Sequence, residues 1–434
     1  MQPAPSKPLG LKLYRAASRV AGPLAELALQ HRLRAGKEDP ERIGERRGQA
    51  GRARPPGALV WIHGASVGES LSVLPLVERL RGARGDLNFL VTTGSITSAR
   101  LMQERLPEGA LHQYIPLDHP RYVKAFLDHW RPDAALFVES EFWPNLILAA
   151  REKARFLALV NGRVSPKSFE EWSRKLQMVR YVLSSFDVLM AQDRQNAERL
   201  ETLSGRGVLN FGNLKNAAPP LPVVEGAIEA LRAENGNRPI WLAASTHPGE
   251  EEAVFNAHKA LKSTFPTLLT LLAPRHPERG AEVRALAESF SLSARQRSDA
   301  QKIDDATDIY IADTLGELGL FYRLSDISFV GGSMTPKGGH NPLEPARLGG
   351  AILHGPFTFN FDETYADMRA AGGAALVRND RELATAVRRL LSDEKTRRAM
   401  AEAAQKGAEA SAEKVLLHIC DVLLERFDAS ARAA

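Results

Sequence analysis

Short apolar runs without charged residues alternate along the chain with longer segments that carry apolar side chains every three or four positions. The first run is LVWIH, which starts at Leu59, and later runs in the same half include NFLVTT, AALFV, FLALV and VLMA. Such runs are typical of strands buried on both faces, and the segments between them are typical of amphipathic helices. A second series follows the proline-rich stretch at 217–224 and includes PIWLAAST, TLLTLLAP, IYIA, ISFV and GAILH. The pattern predicts two α/β units built on parallel sheets.

The chain length supports this division, because 434 residues exceed the roughly 100 to 200 residues of a usual domain. We place the boundaries so that residues 1–54 form an N-terminal head, residues 55–217 a first domain and residues 218–434 a second domain. In open parallel sheets ligands bind beyond the carboxyl ends of the strands, where this chain has most of its unusual residues. We therefore expect a site in a cleft between two facing sheets, with helix N-termini that favour an anion such as a phosphate.

The N-terminal head holds all the basic excess of the chain, with twelve Lys or Arg against five Asp or Glu, whereas the remaining residues have 45 against 47. A helical apolar stripe, with basic residues beside it, is formed by Leu13, Ala17, Val20, Leu24 and Leu27. No run reaches the roughly 18 apolar residues of a spanning helix, and no signal peptide is evident. Two interpretations stay open: this helix packs on the protein's own surface, or it lies on an anionic membrane surface.

Several classes of site are disfavoured by the composition. The single cysteine, Cys420, excludes intrachain disulfides and a cysteine-based zinc site, and it fits a reducing compartment. The chain has no Walker A lysine motif, no G-x-G-x-x-G and no H-E-x-x-H, which argues against a P-loop NTPase, a conventional dinucleotide enzyme and a zinc protease. Because the basic residues are concentrated in the head, without aromatic residues between them on a binding face, we expect no nucleic-acid partner. We also expect no metal and no cofactor.

The turn after the first strand contains two candidate reactive groups. Gly64, Ser66 and Gly68 match G-x-S-x-G, and Glu69 follows the second glycine. The first reading is a serine hydrolase with Ser66 as nucleophile, and the second is an enzyme that uses Glu69 as a general base. In α/β-hydrolases several strands precede the nucleophile, whereas here only the head does, which favours Glu69.

Charged groups also follow other strands. Glu139 and Glu141 come directly after AALFV, where strand alternation predicts that both side chains point to the same side. Arg275 and His276, in APRHPER, form a cationic pair suited to phosphate oxygens.

The second half contributes further polar groups at strand ends. ASTHPGEEE offers Ser245, Thr246 and His247 as hydrogen-bonding groups, the first two also as N-caps of the next helix. The glycine-rich stretch GGSMTPKGGHNPLEPA, with four glycines before Asn341, predicts a close approach of the backbone to another group and a helix that opens near Pro342. Acidic residues stand at two predicted helix starts, Glu317 and Glu344, where they complement the helix dipole or bind sugar hydroxyls.

Taken in order, these motifs resemble the 3-deoxy-D-manno-octulosonic acid (Kdo) transferase family, which adds Kdo to the lipid A precursor. The similarity runs from about residue 57 to about residue 365 through HGASVGES, ESEFWPNLI, NGRVSPKS, GNLK, ASTHPGEEE, PRHPER, DTLGELGLFY, FVGGSMTPKGGHNPLEPA and GPFTFNF. The resemblance implies an α/β GT-B glycosyltransferase of lipopolysaccharide biosynthesis, with two Rossmann-like domains facing an interdomain cleft and an amphipathic N-terminal helix before them. It also implies an inverting, metal-free transfer from CMP-Kdo to a lipid A precursor.

The resemblance assigns roles to residues by motif. Glu69 would be the general base, and Glu139 and Lys215 would support the transition state. The donor-binding residues would be Ser245, Thr246, His247, Pro274, Arg275, His276, Leu315, Gly316, Glu317, Gly339, Asn341, Pro342, Leu343 and Glu344. The acceptor-side residues would be Ser66, Gly68 and Glu141.

The chain departs from the family pattern in two places. The lysine motif usually continues with an aromatic residue and an aspartate, whereas Asn216 and Ala217 follow Lys215 here. The head, often apolar enough in this family to suggest a spanning anchor, is strongly charged, so we expect surface attachment to the cytoplasmic face of the inner membrane.

Two alternatives of other classes remain beside the transferase. One is the serine hydrolase built on the turn at 64–68. The other is a non-enzymatic membrane- or nucleic-acid-binding protein that uses the basic head, which leaves the strand-end glutamates and the glycine-rich stretch without a role.

Overall fold

The computed structural model describes residues 7–218 and 226–432. The chain divides into two compact units, the first made of Met1–Pro219 with Ala412–Ala434 and the second of Pro220–Ser411. The second unit therefore ends earlier than the second domain placed from the sequence at 218–434. The reason is apolar packing, because Val415, Ile419 and Phe427 lie buried in a core of the first unit.

In the first unit, helices and strands alternate after two N-terminal helices. The strands are β1 (Leu59–His63), β2 (Asn88–Thr93), β3 (Ala110–Tyr114), β4 (Ala134–Val138), β5 (Phe156–Gly162), β6 (Val188–Ala191) and β7 (Leu209–Asn210). The helices are α1 (Leu9–Val20), α2 (Gly22–Arg34), α3 (Val67–Ala83), α4 (Ile96–Arg105), α5 (Pro120–Trp130), α6 (Pro144–Lys153), α7 (Pro166–Ser173), α8 (Leu176–Leu183) and α9 (Arg194–Ser204). Two short 3₁₀ turns cover Ile43–Arg47 and Leu214–Ala217.

Within the part of the chain that the structure describes, the strands of the first unit form a seven-stranded parallel sheet in the order β3-β2-β1-β4-β5-β6-β7. Successive residues of β1 serve the two faces, since Trp61 packs in one core and Ile62 in the other. The strand order reverses between β1 and β4. At such a switch point the loops beyond the carboxyl ends diverge and leave room for a ligand.

The second unit repeats this design. Its strands are β8 (Ile240–Thr246), β9 (Leu269–Pro274), β10 (Ala294–Gln296), β11 (Ile309–Ile311), β12 (Ile327–Val330), β13 (Ala351–His354) and β14 (Ala374–Leu376). Its helices are α10 (Ala227–Asn235), α11 (Glu250–Lys262), α12 (Gly280–Ser289), α13 (Leu318–Leu324), α14 (Leu343–Arg347), α15 (Asp362–Ala370), α16 (Asp380–Ser392) and the start of α17 (Glu394–Arg432). The described strands pair in parallel in the order β10-β11-β9-β8-β12-β13-β14, with the switch point between β8 and β12.

The head packs on the first unit, but through a different face from the predicted stripe. Leu11 is buried in a core, the Tyr14 hydroxyl donates to Asp118 Oδ2 at 2.8 Å, and Asn145 Nδ2 donates to Ser18 Oγ at 3.0 Å. The four larger members of the stripe, Leu13, Val20, Leu24 and Leu27, are 61 to 81% exposed. Among the described residues, no helix combines the length and apolar character needed to cross a bilayer.

Candidate active site

The turn between β1 and α3 holds the Glu69 carboxylate by both oxygens. The Ser66 hydroxyl donates to Oε1 at 2.7 Å, and the Ala65 N–H donates to Oε2 at 2.7 Å. Ser66 is also the N-cap of α3, since its Oγ accepts from the Glu69 N–H at 3.3 Å. Glu69 is 8% exposed and lies in the first turn of the helix, where the dipole stabilises a negative charge.

This geometry bears on the hydrolase reading. A serine nucleophile needs a base that takes its proton, usually a histidine. The Ser66 hydroxyl instead donates to a carboxylate that the Ala65 N–H already holds in place. The turn therefore presents Glu69, with Ser66 as its support.

The second carboxylate, Glu139, forms an ion pair with Lys215. The Lys215 Nζ lies 2.5 Å from Glu139 Oε1, and Asn161 Nδ2 donates to the same oxygen at 3.4 Å. Glu139 is 3% exposed and has a φ of 60°, a left-handed conformation that costs a non-glycine residue energy and is found at functional sites. The Asn161 amide also fixes the turn that carries Lys215, because its Oδ1 accepts from the Leu214 N–H at 2.8 Å.

Lys215 brings this pair close to the start of α3. A Cβ atom added to Gly68 would lie 3.6 Å from Lys215 Cε and 3.9 Å from its Nζ. The absence of a side chain at Gly68 thus leaves room for the ammonium beside the residue that precedes Glu69. The three predicted residues Glu69, Glu139 and Lys215 are collected beyond β1 and β4, at the switch point of this sheet.

The contacts of Lys215 form although Asn216 and Ala217 follow it in place of the aromatic residue and aspartate that are usual in the family that the chain resembles. The Lys215 N–H donates to Asn213 Oδ1 at 2.9 Å, which caps the short turn. Asn216 is buried, and its Oδ1 has no hydrogen-bond partner among the residues that the structure describes.

Glu141 belongs to a different set of contacts from Glu139. Its Oε2 lies 3.3 Å from His63 Nε2 and accepts from Trp143 Nε1 at 2.5 Å. Burial raises the pKa of Glu141. The hydrogen bond and charge of His63, together with the Trp143 N–H, lower this pKa by more, so the net shift is downward. The expectation that strand alternation aligns Glu139 and Glu141 is wrong, because β4 ends at Val138 and the left-handed φ of Glu139 breaks the alternation.

In the second unit, two histidines meet beyond β8 and β12. His247 Nε2 and His340 Nε2 are 2.9 Å apart, with the rings nearly parallel. Burial and nearby positive groups lower the pKa of His247 and bring that of His340 to about 4. Both rings are therefore uncharged at neutral pH, and one N–H bridges them.

The predicted capping role of the β8 end is wrong. The N-cap of α11 is Gly249, with a φ of 94°, and its N–H donates to Glu252 Oε2 at 3.0 Å. Thr246 ends β8 and donates instead to Glu251 Oε1 at 3.0 Å, while Ser245 has a left-handed φ of 57°. The glycine supplies the positive φ that the turn requires, so the cap falls three residues after Thr246 and four after Ser245.

Glu250 joins the two loops of this switch point, and the sequence reading missed it. Its fully buried carboxylate accepts backbone N–H bonds from His247 at 2.9 Å, Gly332 at 2.7 Å, Ser333 at 2.9 Å and Met334 at 2.8 Å. Burial raises the pKa of Glu250 although these four bonds oppose it. The available signal was an acidic residue in the first turn of the helix that GEEE predicts.

Arg275 acts electrostatically on several of the predicted donor residues. It follows Pro274 at the end of β9 with an exposed side chain, and its charge lowers the pKa of His340 and opposes the rise that burial causes in the pKa of Glu344. The His276 ring, also exposed, lies 5.9 Å from that of His247. These groups form a polar surface with one exposed guanidinium, which suits a phosphate.

The glycine-rich stretch has the expected close backbone approach. Gly339 has a φ of 74°, its N–H donates to Gly332 O at 2.6 Å, and an added Cβ would lie 3.2 Å from Phe357 O. Helix α14 opens after Pro342, as predicted, and Asn341 Oδ1 accepts from the Leu343 N–H at 3.1 Å.

The third group of predicted donor residues lies beyond β11 and has its own partners. Arg297 donates to both oxygens of Glu317, at 2.7 and 3.1 Å, and Thr314 also donates to this carboxylate. The Arg297 hydrogen bond lowers the pKa of Glu317. Gly316 has a φ of 85°, and Leu315 beside it is among the most exposed apolar side chains described. Among the described residues, no three His, Cys, Asp or Glu are grouped to hold a metal ion.

Comparison with known proteins gives consistent results over most of the chain. The family model described as 3-Deoxy-D-manno-octulosonic-acid transferase (kdotransferase) matches residues 41–218. A probable mitochondrial 3-deoxy-D-manno-octulosonic acid transferase of Arabidopsis thaliana is 35% identical over 393 residues, 88% of each chain. The 3-deoxy-D-manno-octulosonic acid transferase of Haemophilus influenzae is 34% identical over 368 residues, which cover 84% of this chain and 86% of the relative.

Solved structures show the fold. A glycosyltransferase from Rickettsia africae is 14% identical with a TM-score of 0.58 and covers 88% of this chain and all of its own. A putative UDP-N-acetylglucosamine 2-epimerase from Listeria monocytogenes is 15% identical with a TM-score of 0.54 and covers 81% of this chain and 94% of its own. Together with the two parallel sheets, these likenesses confirm the predicted α/β fold of the GT-B type, with two Rossmann-like units and helices before the first.

Proposed function

Because the chain belongs to the 3-deoxy-D-manno-octulosonic acid transferase family and is a glycosyltransferase, we propose that it moves Kdo from CMP-Kdo to a lipid A precursor with inversion at the anomeric carbon. The observation that carries this proposal is the grouping of Glu69, Glu139 and Lys215 at the switch point of the first sheet. The second sheet has an exposed cation, Arg275, at the carboxyl end of β9.

Glu69 acts as the general base in this scheme. An acceptor hydroxyl attacks the anomeric carbon of Kdo, its proton passes to the Glu69 carboxylate, and the bond to the CMP phosphate breaks with its electron pair on the phosphate. The Ala65 N–H and the Ser66 hydroxyl hold the carboxylate before the reaction, so little reorganisation is needed.

Lys215 supplies positive charge for the acceptor, and Arg275 supplies positive charge for the departing phosphate. Glu139 keeps the Lys215 ammonium beside the start of α3, where it stabilises charge that develops near the acceptor. Arg275 offers a planar donor pair to the departing phosphate, and the neutral His247 and His340 pair beside it accepts or donates hydrogen bonds without adding charge.

The proposal is tested with the purified protein, CMP-Kdo and a tetraacylated lipid A precursor in detergent. We expect stoichiometric release of CMP and a lipid product heavier by Kdo. CMP release that is independent of the lipid, without a Kdo-bearing product, would contradict the transfer.

The transfer is expected to survive removal of divalent metal. The groups assigned to the leaving phosphate and the acceptor, Arg275 and Lys215, are fixed parts of the protein. Initial rates with preformed CMP-Kdo should be unchanged after treatment with EDTA. Loss of activity that Mg²⁺ restores would count against this prediction.

We further propose that the head attaches the enzyme to the cytoplasmic face of the inner membrane. The exposed stripe supports this proposal, because it leaves Leu13 and Val20 of α1 and Leu24 and Leu27 of α2 in water, which is costly for large apolar side chains. Exposed basic residues such as Lys12 and Arg19 lie on α1 and favour anionic lipids.

Replacing Leu13, Leu24 and Leu27 together with Gln should abolish sedimentation with liposomes of phosphatidylglycerol. The protein should stay folded, because Leu11 and Tyr14 still hold α1 and the buried Leu29 still holds α2. Binding of the unchanged protein should weaken as salt rises. Leu417→Gln, at an exposed leucine of α17, is the matched control and should sediment normally. Equal sedimentation of the triple variant would contradict the membrane role of the stripe.

A further inference from the structure

The segment between α2 and β1 contains a buried arginine that the proposed reaction does not use. Arg46 lies in the 3₁₀ turn Ile43–Arg47 and is 7% exposed. Its partner Glu38 is also buried and takes a further bond from Arg32 Nε at 2.7 Å. Burying an ion pair requires the desolvation of both charges, so this pair by itself is weak evidence for a gain in stability. The backbone groups that Arg46 connects indicate its role.

Arg46 ties three pieces of backbone or side chain to one guanidinium. It donates to both oxygens of Glu38 at 3.0 and 3.1 Å, to Ile115 O at 2.9 Å and to Gly94 O at 3.0 Å. Gly94 directly follows β2, and Ile115 directly follows β3. A planar fork with five donors can serve these acceptors together, which a lysine ammonium cannot do.

From Gly94 the contacts continue to the proposed base. The Gly94 N–H donates to Ala65 O at 3.1 Å, and the Ala65 N–H donates to Glu69 Oε2 at 2.7 Å. Gly94 packs tightly against this turn, since an added Cβ would lie 3.3 Å from Ala65 O. Three consecutive hydrogen bonds thus join Arg46 to the carboxylate.

We infer that Arg46 is a positioning residue for Glu69, through Gly94 and Ala65; the inference rests on the proposed role of Glu69 as the base. The guanidinium fixes the loop after β2, the loop fixes the Ala65 peptide, and that peptide orients the carboxylate toward the acceptor hydroxyl. Loss of the fork lets the carboxylate rotate, and small displacements of a reacting group lower the rate steeply.

Arg46→Lys tests this with its charge kept. We expect kcat in detergent to fall roughly ten- to a hundredfold, with the KM for CMP-Kdo unchanged. Arg47→Lys is the matched control, since the side chain of the neighbouring Arg47 pairs with Glu26 of α2, whereas the bond to Gly94 O comes from Arg46. The kcat of this control should equal that of the unchanged protein.

A double-variant cycle separates positioning from general destabilisation. If Arg46 acts through Glu69, Arg46→Lys should cause no further loss of kcat in a Glu69→Gln background, whereas a merely structural loss would multiply in both backgrounds. If Arg46→Lys lowers kcat by the same factor in both backgrounds, or if the Arg46→Lys protein is as active as the Arg47→Lys protein, the inference about Arg46 is wrong. The proposed role of Glu69 would still stand. A fully active Glu69→Gln protein would overturn the proposed base, and the inference with it.

Gly94→Ala provides a test that leaves Arg46 intact, in case Arg46→Lys does not fold. The added methyl group presses on Ala65 O, so kcat should fall with an unchanged KM for CMP-Kdo. Gly82→Ala, in α3 with open space around its Cβ position, is the control and should keep full activity. Equal kcat values for the two alanine variants would overturn the inference.

Discussion

Glu69→Gln is expected to lower kcat by roughly 10²- to 10⁴-fold, the range typical of lost general-base catalysis. Glutamine keeps the size of the side chain and accepts from the Ala65 N–H through its amide oxygen, but it cannot take the proton of the attacking hydroxyl. Binding of CMP-Kdo should persist, because the predicted donor residues lie in the second unit. The measurement is the rate of Kdo transfer under single turnover, together with donor binding by calorimetry.

Ser66→Ala is the comparison that separates the two readings of the turn. It removes the N-cap of α3 and one of the two bonds to Glu69, so we expect a modest loss of activity and a destabilisation of about 0.5 to 2 kcal/mol. A hydrolase would show the opposite rank order, since the nucleophile would be gone. An inactive Ser66→Ala protein beside an active Glu69→Gln protein would overturn the assignment.

Arg275→Met is expected to lower the rate of transfer by roughly 10²- to 10³-fold, as loss of a charge-stabilising donor does in other enzymes. Methionine keeps an unbranched stem but offers no donor to the departing phosphate. Arg284→Met is the matched control, because the ion pair of Arg284, in the neighbouring α12, is a surface pair with Asp299 at 2.8 Å. Similar rates for the two methionine variants would remove Arg275 from the mechanism.

The buried strands could be predicted from the sequence because β1, β4, β5 and β8 lie inside a covered sheet and therefore read as unbroken apolar runs. Strand β3 was missed. It lies at the edge of the first sheet, where one side has no neighbouring strand, and its ALHQY sequence is half polar. Strand β10, at the edge of the second sheet, has three residues and was missed for the same reason.

The residues of the candidate site could be predicted where they come soon after a strand. Glu139 and Arg275 follow β4 and β9 directly, and Glu69 follows β1 after a short turn. The pairing of Lys215 with Glu139 was not predictable, because they are 76 positions apart in the sequence and only the order of strands brings them together. Glu250 and Arg46 were missed because they act on backbone groups of distant loops, and backbone hydrogen bonds leave no residue-type pattern. The functional roles of these residues stay predictions.

Because the end of helix α17 belongs to the first unit, the folding of this unit depends on the order in which the chain is synthesised. Its residues Val415, Ile419 and Phe427 complete the same core into which α3 packs Val73 and Val77, on the helix that carries Glu69. A ribosome that has finished the seven strands of this sheet must still synthesise the second unit before that core can close. The N-terminal unit therefore cannot reach its final packing first, as domains usually do during translation, and the part of this core that α17 covers has to wait until α17 has been made.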